Sequence, residues 1–496
     1  MEKVRRFDSL GELYELFGEF LPDHLLSMSE EGANSRERIF TPKVTFWAFV
    51  SQVLDVGSAC RDAVRRVEAW WRWMQKDRTG EAPLSPSAYC QARARLEMQT
   101  LRLLHGHLAW SLDRRVTSAQ LWLGRKVKIV DGTTLSRPDT PGNQQSWPQP
   151  STQKEGLGFP CLKLTGIFSL ASGGLEDDAT GTLHQHESMR FRSLWDQWEK
   201  GAVMLGDRGF CSSAALAALS PRRIDSVMRL HPARKVHFRE GRRLGADDRL
   251  VTWQKPAQRT EAWSREEWAA LPERLAVRLI RLPVSTPGFR TREVTLATTL
   301  TDAIAYPADA IRARDAPLRL RSGHPQRWEV ERHFHQIKIL LGLDILRCKS
   351  PELIEKETLL HRIAYNLIRL LMQPFGPFGC AQGTRRRRAS SLSRRQAAST
   401  HAASLGRISL KGALDTVRHF AAAIHAARAT PRKQEALIAE MLAIIAADRV
   451  PDRPGRSEPR AKQRRAQNYH LLTKPRSQMQ VPPHRNRPRQ AIPNRP

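Results

Sequence analysis

The stretch Arg327–Lys338, RWEVERHFHQIK, combines residue types able to handle metal and phosphate together. Read as a helix, it puts Arg327, Glu331 and Lys338 on one face, since Arg to Glu is four residues and Glu to Lys seven. Phe334, Ile337 and Leu341 follow at i, i+3 and i+7, an apolar stripe that seats such a helix on a core. By itself the Arg–Glu–Lys ladder reads as surface ion pairing. Two aspartates far upstream change that reading: Asp131 ends the apolar run of KVKIVDGTTL, and Asp207 ends that of AVMLGDRGF. Neighbouring strands can bring Asp131 and Asp207 within a few ångströms. Three carboxylates crowded there repel one another unless cations neutralise them. Mg²⁺ suits such hard oxygen ligands and keeps positions open for water and phosphate, with Mn²⁺ as a substitute. Two such ions about 4 Å apart can activate a nucleophile and stabilise the leaving oxygen of an in-line phosphoryl transfer.

The rest of the chain must position these groups. With 496 residues it is long enough for several domains and a large core. A formal charge of +31 favours a polyanionic partner. Thirteen tryptophans and 40% apolar content argue against a disordered basic protein. Cys60, Cys90, Cys161, Cys211, Cys348 and Cys380 are scattered without C-x-x-C or zinc spacing, and read as ordinary thiols in a reducing compartment. The N-terminus has no apolar signal region and no run approaches about 18 apolar residues, so a cytoplasmic, nucleoid-associated protein with no membrane partner is expected.

Residues 1–120 read as helical. Thr41-Pro42 makes an N-cap and first turn, and Phe46, Trp47, Phe49, Val50, Val53 and Leu54 form a buried stripe. A helix over about 58–77 turns Val64, Val67, Trp70, Trp71 and Met74 inward and Arg61, Arg65, Arg66 and Arg72 outward. One further helix starts at Ser85-Pro86 and runs to about Trp110, with Gln91, Arg93 and Arg95 exposed near its start. Two helices in this order resemble a helix-turn-helix; a plain bundle with solvated arginines is the other reading.

From about residue 125 the apolar period shortens to two. Strands are expected at KVKIVDGTTL, CLKLTGIFSL and GGLEDDATGTL, the last two a hairpin around Gly173-Gly174. A helix burying Phe191, Leu194, Trp195 and Trp198 comes next, then the strand ending at Asp207, a small helix and the strand DSVMRL. Residues 231–298 read as an antiparallel strand-rich insertion. TLLHRIAYNLIRLLM is an apolar helix expected on the sheet, the 383–400 run is basic and low in complexity, two amphipathic helices span 410–447, and the tail after Pro451 reads as flexible.

In that order the flanks VDGTTL, GDRGF and RWEVERHFHQIK resemble a DDE transposase of the insertion-sequence-four family, whose signature is Y-x2-R-x3-E-x6-K. The resemblance covers nearly the whole chain. It implies an α/β fold with a ribonuclease-H-like catalytic core, divided into 121–230 and 299–375 by the insertion at 231–298. A helical DNA-binding domain at 1–120 precedes it; a basic linker with C-terminal helices (376–450) and a basic tail (451–496) follow. The implied activity is cleavage of double-stranded DNA at transposon ends and joining of the freed 3′-OH to target DNA by a homodimer bound to the ends. Asp131, Asp207 and Glu331 would carry the metals, and Arg327 and Lys338 would contact phosphates of the cleaved strand. Trp328 would stack on a displaced base, a core position being its other reading. Gln91, Arg93 and Arg95 would contact DNA.

One position departs from the pattern: His324 stands where the family has tyrosine, in PLRLRSGHPQRW. Pro317, Gly323 and Pro325 are poor material for starting a helix. Residues 312–326 and 375–404 both have the Arg, Ala, Pro and Gly bias of GC-rich DNA read out of frame. Two alternatives accompany the transposase reading: a catalytically impaired remnant acting only as a DNA-binding protein, and a metal-dependent nuclease without strand transfer.

Overall fold

Two helix starts in the N-terminal third are set by side-chain caps. The Thr41 hydroxyl accepts from the Val44 amide and Pro42 takes the first turn of α2 (Pro42–Leu54); Ser85 and Pro86 do the same for α4 (Pro86–Arg95). Together with α1 (Leu10–Phe17), α3 (Cys60–Met74) and α5 (Met98–Arg114) they make a helical layer whose core includes Leu13, Phe46, Phe49, Val64, Val67 and Leu104, all buried. The computed structural model describes residues 10–27, 39–74, 85–185, 187–195, 198–231, 233–234, 236–284, 292–312, 332–373, 408–450 and 474–479.

Three expectations need correction here. The single helix from Ser85 is two, because the chain turns extended at Leu96 and Glu97 before α5 begins. Arg66 points inward: it lies between Ala63 and Val67 on the buried face of α3, pairs with Asp55, and donates to the Ser51 carbonyl at 3.3 Å. Arg93 is also inward, 4% exposed, its guanidinium over the rings of Phe49 (4.8 Å) and Tyr89 (4.9 Å). The Met74 side chain lies outside the described residues.

A nine-stranded sheet follows, in the order β3-β2-β1-β4-β5-β9-β8-β7-β6. β1 (Val127–Ser136), β2 (Cys161–Ser169) and β3 (Leu175–Thr182) are antiparallel neighbours, and Gly173 makes the β2–β3 turn with φ +66°. β4 (Val203–Gly206) and β5 (Asp225–Arg229) run parallel to β1. β6 (Arg242–Gly245), β7 (Asp248–Gln254), β8 (Arg274–Val284) and β9 (Arg292–Thr298) are antiparallel, as expected of the 231–298 segment. They extend the same sheet, since β9 pairs with β5 through Val227↔Thr298.

Strand alternation sorts the core into two layers. Val127, Ile129 and Leu135 point to one face with Val203 and Leu205; Val130, Ile167 and Met204 point to the other. The second face is covered by Phe191, Leu194, Trp195 and Trp198 and by helix Ser213–Leu219. The first is covered by the N-terminal helices, by the helix over 332–340 and by Pro351–Leu371, whose Ile354, Leu360, Ile363, Tyr365 and Leu367 are fully buried. Helices Leu410–Ala426 and Pro431–Ala447 close this layer, with Val417, Ala421, Ile424, Met441 and Ile445 inward. The tail is not wholly free: Arg476 pairs with Asp139 at 2.5 Å, and its amide donates to the Gly156 carbonyl at 3.3 Å. The basic run at 383–400 lies outside the described residues.

Candidate active site

The parallel register of β1 and β4 runs Val127↔Val203 to Val130↔Gly206. Asp131 and Asp207 are the next residue on each, at the same end of the ladder that joins two strands about 4.8 Å apart. Both are half-buried. Each carboxylate is braced by a neighbouring backbone amide: Asp131 Oδ1 accepts from the Gly132 amide at 2.8 Å, and Asp207 Oδ1 from the Gly209 amide at 2.6 Å. Asp131 does not end its strand, contrary to expectation. β2 keeps supplying antiparallel partners from Asp131↔Gly166 to Ser136↔Cys161, so Asp-Gly is held in the ladder and only the β4 partner stops.

Alternation puts Asp131 and Thr133 on the face of Ile129, where the 332–340 helix packs. Phe334, Ile337 and Leu341 are buried, as the apolar stripe requires. His333 stacks on Phe168 at 5.1 Å, and Phe334 meets the same ring edge-on at 5.1 Å. Phe168 pairs with Ile129, two residues before Asp131, so the helix is seated beside the aspartate. His333 Nδ1 accepts from Arg369 Nη2 at 3.2 Å and lies 2.9 Å from the Tyr365 hydroxyl. Burial, followed by the charges of Arg369 and Arg332, holds His333 well below the usual histidine range, so it serves as a neutral acceptor. Arg369 Nε also donates to the Gly173 carbonyl at 3.0 Å, an approach that any Cβ at Gly173 would block.

The last turn of this helix, Gln336–Leu340, is π-helical, a local widening common where a side chain must be re-aimed. It delivers Lys338 to β1, where Nζ donates to Thr133 Oγ1 and the Thr134 carbonyl, each at 3.2 Å, with Asp344 3.5 Å away. Lys338 is therefore tied to the same strand as Asp131, two to three residues further along. Glu331, Arg327, Trp328 and His324 lie outside the described residues. On α4, Gln91 is exposed and Arg95 partly exposed, whereas buried Arg93 is withdrawn from any exposed contact surface. Its inward turn follows from the packing of α4 against α2 and α3, which leaves Arg93 stacked between aromatic rings.

Sequence reasoning missed Thr133, Thr134, Asp344 and Gly166. The two threonines carry a faint signal, since period-two alternation from Asp131 puts Thr133 on its face. Gly166 and Asp344 are apparent only from tertiary pairing. The donor set at Asp131 and Asp207 is hard carboxylate oxygen, which fits a divalent cation of the Mg²⁺ class. Among the described residues no group of three or more His, Cys, Asp or Glu side chains gathers into a metal cluster.

The family model described as Transposase DDE domain matches residues 122–367, from just before β1 into helix Pro351–Leu371. The transposase InsG of insertion sequence element IS4 from Escherichia coli K12 is 27% identical over 378 residues, covering 75% of this chain and 79% of that protein. A piggyBac transposase in a cryo-EM synaptic complex with hairpin DNA is 10% identical over 91% of this chain and 87% of that one, at a TM-score of 0.37, too low to bear on the fold. The family model spans both aspartates and the relative extends well beyond it on the same chain. The chain belongs to the DDE transposases of the IS4 insertion-sequence family.

Proposed function

We propose that this protein binds the terminal inverted repeats of an insertion sequence, cuts the DNA there, and joins the freed 3′-OH to target DNA. The observation that carries the reading is the Val130↔Gly206 register, which sets Asp131 and Asp207 side by side with Lys338 tied to the same strand. The catalytic core is ribonuclease-H-like in this reading, residues 121–230 and 299–375. Support comes from the strand order 3-2-1-4-5, the first three antiparallel and the last two parallel to β1. Residues 1–120 hold the DNA end, 231–298 extend the sheet, and 376–450 and 451–496 supply the basic C-terminal parts.

Asp131, Asp207 and Glu331 form the ligand set for Mg²⁺, or Mn²⁺ in its place. The bound ions supply Lewis-acid activation of the attacking oxygen and neutralisation of the leaving one. The protein's own contribution is positional. Asp131 and Asp207 are braced by backbone amides and so present their oxygens in a fixed direction. Lys338 is parked on Thr133 and Thr134 and exchanges those neutral acceptors for a phosphate oxygen when DNA is present. Arg327 holds a second phosphate and Trp328 stacks on a displaced base. Gln91 and Arg95 of α4 contact the repeat. The enzyme works as a homodimer on paired ends, in the cytoplasm at the nucleoid; none of the described helices is long and apolar enough to cross a membrane.

The test is Mg²⁺-dependent nicking of duplexes carrying the repeats that flank the gene, followed by joining to a supercoiled target. Both steps are expected. Binding without nicking overturns the reading in favour of a DNA-binding remnant; nicking without joining makes the protein a nuclease.

A further inference from the structure

Arg93 is a buried cation whose hydrogen-bond acceptors are sulfur. Its Nη2 donates to Cys60 Sγ at 3.4 Å and Cys90 Sγ at 3.3 Å, and its Nη1 to Cys348 Sγ at 3.6 Å. No carboxylate pairs with it among the described residues. A guanidinium taken out of water without a counter-ion is costly, and a thiolate is the anion within reach. Cys60 opens α3 and Cys90 lies in α4, with their sulfurs 3.9 Å apart and both side chains partly exposed, whereas Cys348 is buried.

We infer that Cys60 and Cys90 form a reversible thiol–disulfide pair, with Arg93 stabilising the Cys90 thiolate and Cys60 resolving. The oxidant is a low-molecular-weight disulfide such as oxidised glutathione. The Cys90 thiolate attacks one of its sulfurs, the S–S bond breaks, and one thiolate leaves. Cys60 then gives its proton to solvent and attacks Cys90 Sγ, releasing the second thiolate. Two protein thiols are oxidised, one small disulfide is reduced, and the two released thiolates take up the two protons. Closure draws the sulfurs from 3.9 Å to about 2.05 Å and fastens α3 to α4, beside Gln91. The protonation pattern agrees with these roles: the Cys60 S–H, and then the charge and N–H of Arg93, outweigh burial and bring the Cys90 thiol down to about 6, while Cys60 is pushed up by its bond to Cys90 and by burial.

The experiment treats the full-length protein with oxidised glutathione, blocks remaining thiols by alkylation, and maps peptides without reduction. Expected is a Cys60–Cys90 linked peptide that dithiothreitol removes and that C60S and C90S each abolish. In the untreated protein at neutral pH, Cys90 should alkylate at least about tenfold faster than Cys211, which burial pushes up to about 12. Mapping of the wild type decides the matter even if a variant folds poorly. All six thiols still free after treatment, a stable glutathione adduct on Cys90 without the link, or a link through Cys348 would each overturn the inference.

Discussion

Gly166 offers a way to disturb the site without touching a polar group. It pairs with Asp131 on one side and Asp178 on the other. A Cβ placed there would lie 3.1 Å from Leu175 Cδ1, 3.2 Å from Phe168 Cε2 and 3.3 Å from Phe334 Cζ. Those rings seat the 332–340 helix beside Asp131. In an unstrained strand Gly→Ala ordinarily stabilises by about 0.4–1 kcal/mol through the unfolded chain. Crowding a packed core costs about 1–3 kcal/mol, so at Gly166 the crowding should win for alanine and clearly for valine. The melting temperature should fall by about 2–4 °C per kcal/mol. Displacing the helix by a few tenths of an ångström moves Lys338 relative to Thr133. Since about 1 Å of misplacement can cost about 10²-fold, Gly166→Ala should lose several-fold in cleavage and Gly166→Val about 10²-fold. The assay is single-turnover nicking at saturating DNA and at a temperature where all variants are folded, beside end-binding affinity. Adding Phe334→Leu to Gly166→Ala should restore part of the rate. Lower melting with unchanged nicking would refute the idea that this packing positions the site.

Three other outcomes follow from particular residues. Arg93→Met should lower stability without flattening the salt dependence of end binding, because Arg93 is buried, whereas Gln91→Ala should weaken end binding in a gel-shift titration without lowering the melting temperature. Burial pushes the Asp177 carboxyl up to about 6, so the folded state holds its proton more tightly than the unfolded chain; its contribution is complete below about pH 4 and lost as pH rises through 6. The wild-type melting temperature should accordingly fall relative to Asp177→Asn between those values, and parallel curves would contradict it. Ending the chain at Val450 should make the slope of log K against log [salt] shallower, by about 0.9 for each phosphate that the tail neutralises, while keeping preference for the repeat.

Much of this arrangement is written locally. The caps at Thr41 and Ser85, the two-face alternation around Val127, Ile129 and Val130, and the Phe334–Ile337–Leu341 stripe are short-range patterns that tertiary packing reinforces. What escapes such reading is decided by distant partners. Asp131-Gly132 looks like a strand stop, yet β2 holds it in the ladder. Arg66 and Arg93 look solvated on a helical wheel, yet Asp55 and the Phe49–Tyr89 rings make room for them inside. That 231–298 would extend the sheet depends on the β5–β9 pairing, whose partners are some 70 residues apart. The aspartate pair itself was legible because both strands end their shared ladder one residue before a carboxylate.

The proposed metal-dependent active site is tested most directly by comparing Asp131→Ala, Asp207→Ala and Glu331→Ala with the wild type in two assays on the same end duplex. One is binding in Ca²⁺, the other nicking in Mg²⁺. Loss of one ligand removes several kcal/mol of transition-state stabilisation, so each variant should lose nicking by about 10³-fold or more. End binding should stay within a few-fold, since the proposed function assigns it to the N-terminal helices. Near wild-type nicking by any one of the three variants would contradict that residue's place in the site.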